Sequence, residues 1–211
     1  MRDPPGLLAA GGDLRPSRLL AAYEHGIFPW YSARQPILWW SPDPRMVLFP
    51  EEFKCSRSLA KTLRSGRFET RLDQAFGATI RACASPRASG ADTWLNGDMI
   101  ASYEKLHALG FGHSVETYCD NRLVGGLYGL QLGGVFFGES MFSGQRDASK
   151  AAVARLVAEC GARGIQLIDC QVASGHLASL GARELPRREF TTLLRQHVRR
   201  QPCGPWVEAR A

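Results

Sequence analysis

The sequence predicts an α+β protein: an antiparallel meander sheet flanked by helices, preceded by a small N-terminal lobe. Three observations carry this. Apolar residues recur with a helical period up to about residue 110, and the period then switches to that of strands. Three strand-like runs follow one another directly, separated by turn residues rather than helices, which argues against a doubly wound βαβ array. Residues 1–50 are interrupted by Pro, Trp and Gly, so they hold no long helix. The expected division is a lobe over 1–50 and a main domain over 51–211.

In the lobe, Leu19, Leu20, Tyr23 and Ile27 fall at helical spacing, with Pro16 in the first turn and Gly26 as the stop. Ser56 is the expected N-cap of a short helix ending at Gly66, and Asp73 that of a helix over Gln74–Cys83. Residues 85–92 read as a loop. Asp98 is expected to cap a helix that shows Met99, Tyr103 and Leu106 on one face and stops at Gly110. Strands are predicted at His113–Cys119, Arg122–Leu130 and Val135–Ser140, joined at Asp120-Asn121 and Gly133-Gly134. A helix over Ala148–Ala162 behind Asp147 carries Val153, Leu156, Val157 and Cys160 at i, i+3, i+4, i+7. A strand at Ile165–Val172, a short helix at Ser174–Gly181 and an amphipathic helix at Arg188–Arg199 complete the order. Meander, helix, strand, helix is an order that resembles the GNAT acyltransferases.

Composition narrows the function classes. The 211 residues are 45% hydrophobic and 22% charged, ordinary for a packed domain and far from a disordered chain. No stretch approaches 18 consecutive apolar residues, and Met1–Pro5 lacks the basic start of a secretory leader, so neither a membrane span nor a signal peptide is expected. The expected compartment is the cytoplasm. The six cysteines have no CxxC spacing and the five histidines no HExxH, so free thiols and no metal are expected. The net charge of +6 leans weakly toward a polyanionic partner. Lys54, Arg57, Lys61 and Arg64, followed by Arg67 and Arg71, form a basic face opposed only by Glu69; it is either a solvated helix face or a phosphate-tracking surface.

Two stretches bear chemistry. In Ile165–Gln171, alternation puts Leu167, Asp169 and Gln171 on one face and Ile168 and Cys170 on the other. A carboxylate and an amide thus end an apolar strand, where sheets commonly open onto ligands; the competing reading is a loop cap. In Phe136–Ser143, Glu139 sits among aromatic and methionine neighbours, where a charge is costly unless paired. A structural ion pair is the alternative there. GxGxxG, GxxxxGK[ST] and a serine nucleophile elbow are all missing from the sequence.

Several motifs occur together and in order: Gly11-Gly12-Asp13-Leu14, Gly26-Ile27-Phe28-Pro29-Trp30, Trp39-Trp40-Ser41-Pro42-Asp43-Pro44-Arg45, Thr93-Trp94, Gly125-Gly126-Leu127-Tyr128-Gly129, Phe137-Gly138-Glu139-Ser140-Met141-Phe142-Ser143, Leu167-Ile168-Asp169-Cys170-Gln171 and Ser179-Leu180-Gly181-Ala182. This combination, covering nearly the whole chain, resembles the leucyl/phenylalanyl-tRNA–protein transferase family. The resemblance implies a GNAT-like domain akin to the FemABX peptidyltransferases. It implies transfer of Leu or Phe, and less well Met, from aminoacyl-tRNA to proteins with N-terminal Arg or Lys, which marks them for the bacterial N-degron pathway. It places catalytic roles on Glu139, Asp169 and Gln171, substrate-contacting aromatics at Trp30, Trp94 and Tyr103, and the amino-acid pocket wall at Phe136, Met141 and Ile168. Where the family has a methionine and a phenylalanine, this sequence has Leu127 and Leu156. The family's leading Phe-Pro-Pro-type segment is not seen before the Gly-Gly-Asp motif. No cofactor is implied beyond the aminoacyl-tRNA co-substrate, and a monomer is expected, with tRNA on Lys54, Arg57, Lys61 and Arg64.

Three rival readings are an acetyl-CoA-dependent acetyltransferase, a passive RNA-binding module and a transferase adding Leu to acidic N-termini. Against the first, the strand–helix junction Ser143-Gly144-Gln145-Arg146-Asp147 has a single glycine. Against the second stand two carboxylates and an amide that a passive binder of RNA does not need. Against the third stands the Trp39–Arg45 motif.

Overall fold

The computed structural model describes residues 5–32, 34–85, 95–199, 201 and 206. A three-stranded sheet of order β1-β3-β2, built from β1 (Leu7–Ala10), β2 (Phe28–Pro29) and β3 (Leu38–Trp40), forms the lobe with helix α1 (Pro16–Tyr23). Pro16 opens α1 where its missing N–H costs nothing, as expected. β4 (Arg45–Leu48), which falls within the stretch expected as the lobe, pairs in the main sheet.

The main sheet has seven strands in the order β10-β4-β9-β8-β7-β6-β5: β5 (Glu69–Leu72), β6 (Gly112–Cys119), β7 (Arg122–Leu132), β8 (Val135–Ser143), β9 (Leu167–Gln171) and β10 (Arg183–Leu185) with β4. β5 to β8 are the expected meander with one more strand at its start. Asp120 and Asn121, both at positive φ (50° and 57°), make the β6–β7 turn that their side chains tolerate best. β8 and β9 run parallel across α5 (Ala148–Cys160), whereas β4 runs antiparallel to β9. β4, β5 and β10 are three or four residues long, too short for alternation to reveal them.

Strand alternation builds a core on each face. Val47, Tyr128, Phe137 and Leu167 face a cluster with α1, α3 (Phe76–Ala84), α4 (Gly97–Ala108) and α7 (Arg187–His197). Met46, Leu127, Phe136 and Ile168 face the opposite cluster, which includes α5 and Leu59 of α2 (Arg57–Arg64). Ser56 caps α2 as expected, accepting the Leu59 N–H. Two other expected caps are displaced. Asn96, not Asp98, caps α4 by accepting the Met99 N–H, and Asp98 lies in the first turn, where its charge suits the helix dipole. Asp73 sits at φ 52° and holds Ser114 N–H and His113 instead, while Glu116 accepts the Gln74 and Ala75 N–H groups ahead of α3.

One buried ion pair links β4 to β9, and its guanidinium reaches the lobe. Arg45 is fully buried; its Nε and Nη2 donate to the two oxygens of Asp169 on β9 at 2.8 and 2.6 Å, and Nη1 donates to the Gly26 carbonyl at 3.0 Å. The guanidinium lies between the Phe28 and Phe190 rings at 4.9 and 4.6 Å. Gly26, at φ 72°, admits this approach: a Cβ there would meet the Phe190 ring at 2.7 Å. Asp169→Ala strands a buried guanidinium and is expected to cost about 3–5 kcal/mol in urea denaturation, whereas Arg45→Met with Asp169→Leu recovers most of that loss.

Candidate active site

β8 and β9 pair only at Val135↔Leu167, Phe136↔Ile168 and Phe137↔Asp169, then part. A cavity of about 470 Å³ opens where they separate. On the β7 side, Tyr128 pairs with Ser140 and Gly129 with Gly138, leaving Glu139 as the extra residue of a β-bulge. Gly129 permits this: a Cβ there would strike the Phe137 carbonyl oxygen and meet the Phe136 ring at 2.6 Å.

The deep part of the cavity is apolar. Leu127, Phe136, Met141, Leu156 and Ile168, all expected in the pocket wall, line it, and Leu48, Val153, Cys170 and Leu177 complete it. Of the three expected aromatics, Trp30 and Tyr103 are not part of its lining. Trp30 is 42% exposed in the lobe, tilted against Trp40 and outside the lining. Trp94 lies outside the described residues. Tyr103, expected to touch substrate, is buried completely and acts on Glu139 instead.

Glu139 closes the polar end. Its Oε1 accepts from Tyr23 at 2.7 Å and from Gln171 Nε2 at 2.8 Å, and its Oε2 accepts from Tyr103 at 2.8 Å. Burial pushes this carboxyl up to about 7, against those three donors, which pull it down. The Tyr23 and Tyr103 hydroxyls also touch each other. Three oxygen–oxygen contacts therefore share two hydroxyl protons when Glu139 is ionised, and the neutral acid supplies the third. Burial and the neighbouring Glu139 charge hold both phenols well above their ordinary range.

Asp169 does not reach the cavity. Both its oxygens are taken by Arg45, and Oδ1 also accepts the Gln171 N–H at 2.9 Å. Its contact with the site runs through the Gln171 backbone. Its hydrogen bond holds Gln171 at φ 63°, a conformation costing of order 1–3 kcal/mol for a residue with a side chain. That turn breaks strand alternation, so Gln171 lines the cavity together with Ile168 and Cys170, not opposite them. With Nε2 committed to Glu139, Gln171 Oε1 has no donor among the described residues.

The basic face is divided. Arg71 is neutralised by Glu69 at 2.7 Å, and Arg67 donates to Gln145. Lys54, Arg57, Lys61 and Arg64 are exposed, and no carboxylate among the described residues pairs with them. No set of three metal-ligating side chains gathers among the described residues, and no helix there is long and apolar enough to cross a membrane.

The fold is α+β, and an acid–amide pair lines a largely apolar pocket. Comparison with known proteins is more specific. Residues 47–195 match the model of the leucyl/phenylalanyl-tRNA protein transferase family, and residues 12–43 match that of its N-terminal domain. Proteins named leucyl/phenylalanyl-tRNA–protein transferase share 58% identity in Nitrosospira multiformis, over 93% of this chain and 84% of the relative, and 55% in Chromobacterium violaceum, over 98% and 89%. The chain belongs to this family of aminoacyltransferases. Likeness to solved structures is looser: a GCN5-related N-acetyltransferase from Kribbella flavida aligns at TM-score 0.43 and 13% identity, over 82% of this chain and 61% of that one.

Because burial raises Glu139 above its ordinary value of 4.5 to about 7, its contribution to stability is full below about pH 4.5 and is lost as pH rises through 7. The urea midpoint is therefore expected to fall between pH 5 and about 8 in the wild type, with a clearly shallower fall in Glu139→Gln; parallel profiles would contradict the assignment.

Proposed function

We infer that this chain transfers a leucyl or phenylalanyl group, and methionyl less well, from aminoacyl-tRNA to the α-amine of proteins beginning with Arg or Lys. The observation that carries it is the acyl-sized apolar cavity ending at an unbonded Gln171 Oε1, in a chain whose relatives bear the names of such transferases. The reaction is aminolysis of an ester already activated by its linkage to tRNA. The amine nitrogen attacks the acyl carbon, the bond to the ribose oxygen breaks, and the proton lost by nitrogen ends on that oxygen. An α-amine with an ordinary pKa near 7.7–8.0 is already about a tenth neutral at pH 7, so the base has little to do. Alignment supplies much of the rate, up to ~7–11 kcal/mol in favourable cases.

In this reading Gln171 Oε1 accepts a hydrogen bond from the incoming amine and aims its lone pair. Glu139 fixes the other end of that amide and, when ionised, supplies negative charge beside the acceptor's Arg or Lys side chain. Asp169 acts through Gln171 by holding its backbone. A charged acyl side chain is excluded because nothing in the pocket wall pairs with it. Leu, Phe and Met are separated less sharply, since methylene-scale differences are worth only ~1–3 kcal/mol. Lys54, Arg57, Lys61 and Arg64 hold tRNA phosphates, and the exposed Trp30 stacks on the terminal adenosine. The enzyme works as a cytoplasmic monomer, and its products enter N-degron degradation. The first amides of α5 suit a CoA pyrophosphate poorly: Ser149 N–H is held by Ser143 Oγ, and the Asp147 carboxylate stands at the helix start.

Incubation with leucyl-tRNA and peptides starting with Arg, Lys, Asp or Ala is the direct test: transfer to the first two alone is expected, and equal transfer to all four contradicts the acceptor assignment. Gln171→Ala is expected to lower kcat by about 100-fold with little change in tRNA affinity. Reversing the charge of Arg57, Lys61 and Arg64 should weaken tRNA binding and reduce the slope of log K against log salt by roughly 0.7–0.9 per lost contact; an unchanged slope would show the face to be merely solvated.

A further inference from the structure

We propose that Trp206, far from the cavity in sequence and absent from its lining, sets the depth of the acyl pocket by holding the Phe136 ring from behind. The inference rests on the transferase reading above. Phe136 is wholly buried and lines the cavity. Its ring lies against the bare backbone of Gly129, where a Cβ would come within 2.6 Å, and against the indole of Trp206 at 5.6 Å between centroids. The ring is thus confined by the sheet on one side and by the C-terminal segment on another.

Both N–H groups of Trp206 are held. Its backbone N–H donates to Asp73 Oδ2 at 2.8 Å, and its Nε1–H donates to Gln131 Oε1 at 3.1 Å. Gln131 cannot turn away, because its Nε2 donates to the Gly133 and Arg163 carbonyls. The indole stacks on His113 at 4.6 Å with planes 9° apart, and the Arg163 guanidinium lies 4.6 Å from it. Asp73, His113 and Gln131 are buried polar side chains of the sheet and its approach, so the socket is part of the fold. A ring backed this firmly presents a fixed floor to the acyl side chain. Without the indole, Phe136 gains room to retreat and the pocket deepens. Trp206 is therefore a positioning residue for acyl selectivity.

The test measures binding, so that a loss of turnover does not obscure it. Adenosine analogues carrying amide-linked leucyl, phenylalanyl or naphthylalanyl groups are titrated calorimetrically into the wild type, Trp206→Ala and Trp206→Leu. Trp206→Leu keeps an apolar plug and the backbone bond to Asp73, and is the variant to read where Trp206→Ala does not fold. The expected result is a naphthylalanyl-to-leucyl affinity ratio that rises on the order of tenfold in the variants. An unchanged ratio, or an equal loss for all three analogues, overturns the proposal and leaves Trp206 a purely structural anchor. A wild type that binds none of the three overturns the transferase reading, and this inference with it.

Discussion

A guanidinium and a carboxylate with no exposure to water are stable together only if each satisfies the other almost completely. Arg45 and Asp169 do so through two parallel hydrogen bonds, with the third guanidinium nitrogen on the Gly26 carbonyl. Five segments meet there: the turn after α1, the β2 ring of Phe28, strand β4, strand β9, and Phe190 of α7. The remaining capacity of Asp169 Oδ1 goes to the Gln171 backbone amide, and this fixes a residue that lines the cavity. A structural ion pair and the reactive geometry are thus one network, and neither is adjustable without the other.

The cavity and its polar end follow from two departures from regular sheet. β8 and β9 stop pairing after Phe137↔Asp169, and β8 carries an extra residue opposite Gly129. The first departure makes room between strands whose side chains are already apolar on the α5 face. The second turns Glu139 toward Tyr23 and Tyr103, one from the lobe helix and one from α4. Burial then keeps the carboxyl near the middle of the physiological range while its donors keep it oriented. The apolar slot and the buried acid come from two neighbouring irregularities on either side of one strand, β8.

Much of this was legible in the sequence. Long periodic stretches announced α4, α5 and the three central strands, and an apolar strand ending in Asp-Cys-Gln marked the site. Motif resemblance supplied the pocket wall, and Leu127, Phe136, Met141, Leu156 and Ile168 do line one cavity. Strands of three or four residues were not legible, because period-2 alternation needs more positions to stand out. Nor was the partner of Asp169: Arg45 lies 124 positions away, and nothing local distinguishes a buried arginine from a solvated one. The alternation rule placed Asp169 and Gln171 together and missed the positive φ that sends only Gln171 into the cavity. The hydrogen bond from Tyr103 to Glu139 was not legible either, since spacing says nothing about which partner a phenol meets.

The α1 helix supplies Tyr23 to the carboxyl of Glu139, 116 positions later, and the turn behind it supplies the Gly26 carbonyl to the guanidinium of Arg45. A polypeptide clipped behind that helix and its turn would keep every residue that lines the slot but would lose one of the two phenols on Glu139 and the carbonyl that holds Arg45.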